Sequence, residues 1–401
     1  MRIGLVTPAW PGGKHANGIT TTVVYLVEGL EALGHEVTVI PLSPDSDEDP
    51  RCIPLPENRR PTLQERATAA FGLGEPMHQR FAERIVGAAR TAIDTRSIEV
   101  LVMEETQGWA GIVQEMLPIP VIVTLHGPWF IQTSLQSQPV SKSERRREQR
   151  EARAFRDCAG LTAPSQHVLD MTRAQIADLT SKQSVIHNPI RVKDPVDYDR
   201  LNNQQRKSIL FVGRHDLRKG ADILLQGFAD LIAGGADAYL TFVGPDSGVT
   251  QADGSIRTFP KALAALNSDA RGRITFLGSQ SKEQIDSLRQ QHAIAVVTSR
   301  YETFGYVVLE ALAAGAATIS TAAGGPTEII RHQKNGLLIP VDDAQALAEA
   351  MQKLLNERVL AAQLGRAGRE DVAARFAPRE IAGQLVTFAQ DVVSGFRPPK
   401  P

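Results

Sequence analysis

The feature that most constrains this chain is a strand–helix–strand signature at its start. Arg2–Pro8 (RIGLVTP) reads as a short buried strand that ends in a Gly/Pro turn. A helical pattern then runs from Ile19 to Leu33, with Val23, Val24, Leu26, Val27, Leu30 and Leu33 recurring at helix spacing and Gly34 at its stop. Glu36–Pro41 (EVTVIP) is the next strand. Strand, helix and strand within about 40 residues make a βαβ unit, which predicts an α/β protein with a parallel, doubly wound sheet. Further strands are expected at Val100–Met103, Val121–Leu125, Gly160–Ala163 and near Ser184–Ile186.

The pattern breaks at His187–Pro195 (HNPIRVKDP), where two prolines sit among polar residues, and then starts again. Strands are expected at Ser208–Val212, Ala238–Val243, Ile274–Leu277, Ala293–Thr298 and Ala317–Ser320, with helices at Gly220–Ala233, Ala344–Glu357 and Pro378–Val393. The expected organisation is an N-terminal Rossmann-like domain over 1–190, a second over 191–377, and a C-terminal helix and tail over 378–401. Two such halves predict a cleft between them, a common place for small-molecule sites. A chain of 401 residues can hold two cores.

Composition narrows the function. With 42% hydrophobic and 22% charged residues and a formal net charge of −1, nothing recruits nucleic acid globally. Cys52 and Cys158 form no CxxC pair, so neither a disulfide framework nor a zinc site is signalled. The N-terminal apolar run is too short for a secretory segment, and no stretch approaches the ~18 apolar residues of a membrane span. The expected location is the cytoplasm.

The strongest chemical signal lies in Arg300–Ile330 (RYETFGYVVLEALAAGAATISTAAGGPTEII). Glu302 follows an apolar strand, and TFGY opens a helix that carries Glu310. The amides near Phe304, Gly305 and Tyr306 stand at a helix N-terminus, where they suit a phosphate. Glu310 lies about six residues further on, roughly 9 Å along the axis. That offset resembles the distance from a pyrophosphate to the ribose hydroxyls of its nucleoside. Glu302, at the other end, is placed for hydroxyls of an attached sugar, since a carboxylate accepts from two neighbouring hydroxyls at once. At the end of another strand, Arg214 and Lys219 (FVGRHDLRKG) precede a helix, where a dianion needs neutralising.

ExFGxxxxE from Glu302 to Glu310, followed by EALAAG and GGPTEII, resembles the signature of the retaining glycosyltransferases of family 4 (group 1). The resemblance implies the GT-B fold: two Rossmann-like domains facing each other across a cleft. It implies transfer of a hexosyl unit from a nucleotide-diphosphate sugar, such as one of UDP or GDP, to a hydroxyl acceptor with retention of configuration. No cofactor and no metal is then required. Arg214 and Lys219 would hold the donor diphosphate, and His126 in TLHGPW would meet the transferred sugar. Gly18, with Gly12 and Gly13 in PGGKHANG, would face the diphosphate, and Gly278 and Ser279 in FLGSQ would lie against the base. The glycine loop is not GxGxxG, and EVTVIPLSP lacks the acidic residue of a dinucleotide site, which argues against a dehydrogenase.

Other segments carry less. Glu104 and Glu105 close the strand LVMEET and are candidates to face the acceptor, whether glycan, lipid-linked or small molecule. Asp45-Ser46-Asp47 forms a DxD, but in an acidic loop between prolines. SKSERRREQREARAFRD carries seven Lys/Arg against three Glu before Asp157. Its opposite charges at i,i+3 and i,i+4 fit a solvated helix better than a membrane-binding one. An epimerase or hydrolase of the same fold and a non-catalytic nucleotide-sugar binder are the alternatives; oligomeric state is open.

Overall fold

A computed structural model describes residues 1–10, 18–43, 49–63, 65–66, 75–135, 139–179, 181–192, 201–202, 205–251 and 253–398. The Asp45–Asp47 motif, Gly12 and Gly13 lie outside them. The chain divides into two compact units, one of residues 1–189 with 378–401 and the other of 190–377.

In the first unit, β1 (Arg2–Thr7), β2 (Glu36–Pro41), β3 (Val100–Glu104), β4 (Val121–Thr124), β5 (Gly160–Ala163) and β6 (Lys182–Val185) form one sheet in the order β2-β1-β3-β4-β5-β6. Every pairing is parallel. Strands buried on both faces read as near-continuous apolar runs. Ile3, Leu5, Val100, Val102 and Ile122 accordingly sit in a core closed by Leu26 and Leu30 of the Gly18–Ala32 helix and Leu385 and Ala389 of the Pro378–Gly395 helix. Those two helices touch closely: a Cβ on Gly29 would stand 2.0 Å from the Pro378 carbonyl oxygen.

The second unit holds β7 (Ser208–Val212), β9 (Tyr239–Val243), β12 (Ile274–Phe276), β13 (Ile294–Val297), β14 (Ala317–Thr321) and β15 (Leu337–Ile339) in the order β12-β9-β7-β13-β14-β15, again all parallel. A small three-stranded sheet of β8 (His215–Asp216), β10 (Asp246–Thr250) and β11 (Ile256–Arg257) is appended. Phe211, Phe228, Phe242, Leu347 and Met351 fill the core. Each such side chain stabilises the unit by roughly 1.5–3 kcal/mol on burial.

Numbered within its unit, this sheet runs 3-2-1-4-5-6, so the strand order reverses between β7 and β13. In the first unit it reverses between β1 and β3. Crevices at the carboxyl ends of the strands at such switch points are where open α/β sheets bind ligands.

Two sequence expectations change here. The Pro76–Arg96 helix was not anticipated, although it buries Ile85, Val86, Ala89 and Ala92 at helix spacing. The charged segment forms the Lys142–Asp157 helix, started by a Ser141–Glu144 capping box, and it is not wholly solvated: Glu151, Ala154 and Phe155 are buried. Among the described residues no helix is long and apolar enough to cross a membrane.

Candidate functional site

The second unit's switch point is built by the turns that leave β7 and β13. After β7, Asp216 organises the turn by accepting from Arg214 Nε and from the Lys219 backbone amide, both at 2.7 Å. Gly220 (φ +64°) ends the turn, and a Cβ there would lie 2.0 Å from the Thr298 carbonyl oxygen. The Thr298 hydroxyl donates to the carbonyls of Lys219 and Gly220 at 2.9 Å, fastening the turn to the end of β13.

Lys219 Nζ donates to Glu302 Oε1, and the same oxygen accepts from Ser299 Oγ at 2.6 Å. Glu302 is buried, and its Oε1 is engaged by both donors. Burial pushes its carboxyl up, but the Lys219 charge and hydrogen bond, with Ser299, more than reverse this and hold it below its ordinary value. Arg214 stays half-exposed, with Asp216 as its ion partner.

Gly305 (φ +103°) occupies the N-cap position of the Tyr306–Ala313 helix, whose first turn has no side-chain cap. Gly325 of the GGP segment packs beneath it, since a Cβ on Gly325 would come within 2.4 Å of Phe304 Cα and O. Glu302 is tied to the same segment, its amide donating to Ala323 O and its carbonyl accepting from Gly325 N. The Phe304 ring cannot serve a ligand. It is buried against Tyr306 and Phe376, leaving only its backbone for the site.

Glu310 is also engaged. Its Oε2 accepts from Arg289 Nη2 at 2.5 Å, and Arg289 is itself buried and only 3.6 Å from Asp286. Gly278 (φ +64°) accepts from the Gly244 amide at 2.8 Å, open space lies where its Cβ would be, and Ser279 beside it is exposed. Arg214, Lys219, Glu302 and the Gly305 turn thus converge on one switch point.

In the first unit, Gly18 opens the helix that follows β1 and is exposed. Glu104 ends β3 opposite Thr124 of β4. The two adjacent glutamates have different fates. Glu105 accepts from the amides of His126 (2.9 Å) and Gly127 (2.8 Å), so both its oxygens hold the turn after β4 and it is withdrawn from any acceptor. Glu104 Oε2 is buried and has no partner among the described residues.

Burial, then the neighbouring Glu105 charge, pushes Glu104 up to about 8; burial, then the Glu151 charge, pushes Glu105 up to about 7. Burial likewise raises Glu151, which accepts from the Trp129 amide at 2.7 Å and Arg147 Nε at 2.8 Å. Arg147 lies 3.8 Å over the Trp129 ring. His126, partly buried, is held well below its ordinary value by desolvation and so stays neutral.

The sequence alone did not reveal Asp216, Ser299 or Arg289, although the first two sit beside segments already singled out. Glu151 was legible only as the i,i+4 partner of Arg147, a pair that the structure contains, and not as the acceptor for the Trp129 amide.

Two family models match successive stretches of the chain: "Glycosyltransferase Family 4" over residues 16–194 and "Glycosyl transferases group 1" over residues 196–371. The N-acetyl-alpha-D-glucosaminyl L-malate synthase of Bacillus anthracis is 29% identical over 48% of this chain and 47% of its own length. Several curated relatives are likewise matched over about half their length. The phosphatidyl-myo-inositol mannosyltransferase of Mycolicibacterium smegmatis is 25% identical over 90% of this chain and 86% of its own. Among solved structures, sucrose-phosphate synthase from Thermosynechococcus elongatus superposes with a TM-score of 0.74 at 23% identity, covering 98% of this chain and 100% of that one. The fold is therefore GT-B, and the two family matches, one for each half, show that the chain belongs to the group 1, family 4 glycosyltransferases.

Proposed function

We propose that the protein is a retaining glycosyltransferase that moves a hexosyl unit from a nucleotide-diphosphate sugar to a hydroxyl acceptor. The observation that carries this reading is the Lys219–Glu302 pair across the β7/β13 switch point, in front of the Gly305 helix start. Departure of the diphosphate builds negative charge where Arg214, Lys219 and the first-turn amides already stand. Pre-placed charge of this kind stabilises a leaving group without a metal ion. Glu302 Oε2, not taken by Lys219 or Ser299, is the oxygen for the sugar hydroxyls. Glu310 Oε1, opposite the oxygen held by Arg289, takes the ribose hydroxyls, and Gly278 and Ser279 lie against the base.

On the first unit, neutral His126 is a sugar contact, and Glu104, the carboxyl not used as a cap, faces the acceptor. Attack comes from the face that the diphosphate leaves, and the departing phosphate helps to take the acceptor proton. The protein works in the cytoplasm, needs no cofactor, and uses a glycan, a lipid-linked molecule or a small molecule as acceptor.

A thermal-shift screen of UDP, GDP, ADP and their sugars identifies the donor, because a ligand that binds only the folded state raises stability according to its affinity. NMR of the transferred product then gives its anomeric configuration. An inverted product, or epimerised or free sugar formed without acceptor, refutes the reading.

A further inference from the structure

A second cavity opens within unit two on the other side of the segment that carries the donor cations. It has a volume of about 390 Å³ and is bounded by the Ala221–Ala233 helix, the Phe259–Ala264 helix and the small β8–β10–β11 sheet. Along Arg214–Lys219, the residues assigned to the donor are Arg214 and Lys219, whereas His215 and Leu217 line this cavity.

His215 is 0% exposed. Its Nδ1 is 2.7 Å from Asp246 Oδ1, and the Asp246 carboxylate also accepts from the amides of Phe259 (2.8 Å) and Gly248 (3.2 Å). A carboxylate held in this way accepts from Nδ1, so in the neutral ring Nε2 carries the lone pair. That Nε2 has no partner among the described residues. A buried polar atom without a partner costs free energy that a ligand hydroxyl would recover. Gln226, Thr250 and Gln251 add further polar groups to the wall.

Asp222 lines the cavity, where Arg300 holds both its oxygens at 2.8 Å and also pairs with Asp342 at 2.7 Å. Arg257 also lines it, is exposed, and its side chain forms no ion pair or hydrogen bond among the described residues. We propose that this cavity is a second ligand site, separate from the donor site, for a small polyhydroxylated anion. Its hydroxyls meet His215 Nε2 and the amide wall, and its anionic group meets Arg257.

Calorimetric titration with four probes tests this: sorbitol 6-phosphate, gluconate, sorbitol and inorganic phosphate. The long-range proton–nitrogen NMR signal of His215 is followed in parallel. The expected result is that sorbitol 6-phosphate or gluconate binds at least about tenfold tighter than sorbitol or inorganic phosphate and moves the Nε2 resonance. Whichever of the two binds tells a phosphate head from a carboxylate. Arg257→Ala, at an exposed position, removes that advantage and leaves sugar transfer unchanged, whereas Lys219→Ala keeps it. Equal affinity for all four probes, an unmoved His215 signal, or binding lost in Lys219→Ala and kept in Arg257→Ala would overturn the assignment.

Discussion

Arg289 Nη2 donates to Glu310 Oε2 at 2.5 Å, so the carboxylate assigned to the donor ribose is oriented by a buried cation from a neighbouring helix. A charged hydrogen bond of this kind contributes about 1.5–3 kcal/mol. Arg289→Ala therefore raises the donor KM by about tenfold or more while kcat at saturating donor changes by less than about threefold. Arg289→Lys recovers part of the loss. Steady-state kinetics on the three proteins checks this, and an unchanged donor KM in Arg289→Ala contradicts it.

Glu105 caps two amides at once, and a buried donor left without its acceptor costs about 1–3 kcal/mol. Glu105→Ala should lower the melting temperature and speed hydrogen exchange at the His126 and Gly127 amides. Glu105→Gln, which keeps one acceptor oxygen, should fall between. Unchanged exchange at both amides in the Ala variant refutes the capping role.

The buried carboxyls of the first unit give stability a pH dependence with a definite sign. Glu104 and Glu105 titrate near 8 and 7 when folded, above the ordinary carboxylate range. Between about pH 5 and 8 the folded state thus holds more protons than the unfolded state, and stability falls as pH rises. Glu104→Gln, neutral throughout, should flatten that slope and melt at least about 2 °C above the wild type at pH 8. Melting curves from pH 5 to 8 decide it, and parallel slopes count against it.

Much of this was legible in the sequence because it is local. The βαβ signature rests on spacing within about 40 residues, and Glu302, Gly305 and Glu310 sit on one strand end and the helix after it. What escaped depends on partners far apart in the chain. Lys219 and Glu302 are 83 residues apart, Arg289 and Glu310 are 21 apart, and Glu151 reaches back 22 residues to Trp129. The sequence suggested two adjacent acidic side chains at 104 and 105 but not that one caps a turn while the other keeps an unpaired oxygen. Likewise, Lys142–Asp157 looked solvated because its charges hide the single face that buries Phe155.

Gly325 is fixed by contact with the Phe304 backbone at 2.4 Å from its would-be Cβ. Gly325→Ala must displace the Phe304–Gly305 turn and should weaken nucleotide binding by about tenfold. Gly383→Ala, where the nearest atom is 3.9 Å away in a helix, should leave binding unaltered. Calorimetry of nucleotide binding to both variants separates the two; equal affinities contradict the turn's role.

Turnover of Lys219→Ala is the most direct test of the donor site. With the nucleotide sugar identified by thermal shift, kcat is measured for the wild type and for the variant, whose fold is checked by its circular dichroism and melting curve. Removal of a pre-placed charge from a developing anion predicts a fall of about 100- to 1,000-fold in a folded protein. A folded Lys219→Ala with near-normal kcat would contradict the assignment of the Lys219–Glu302 switch point as the donor diphosphate site.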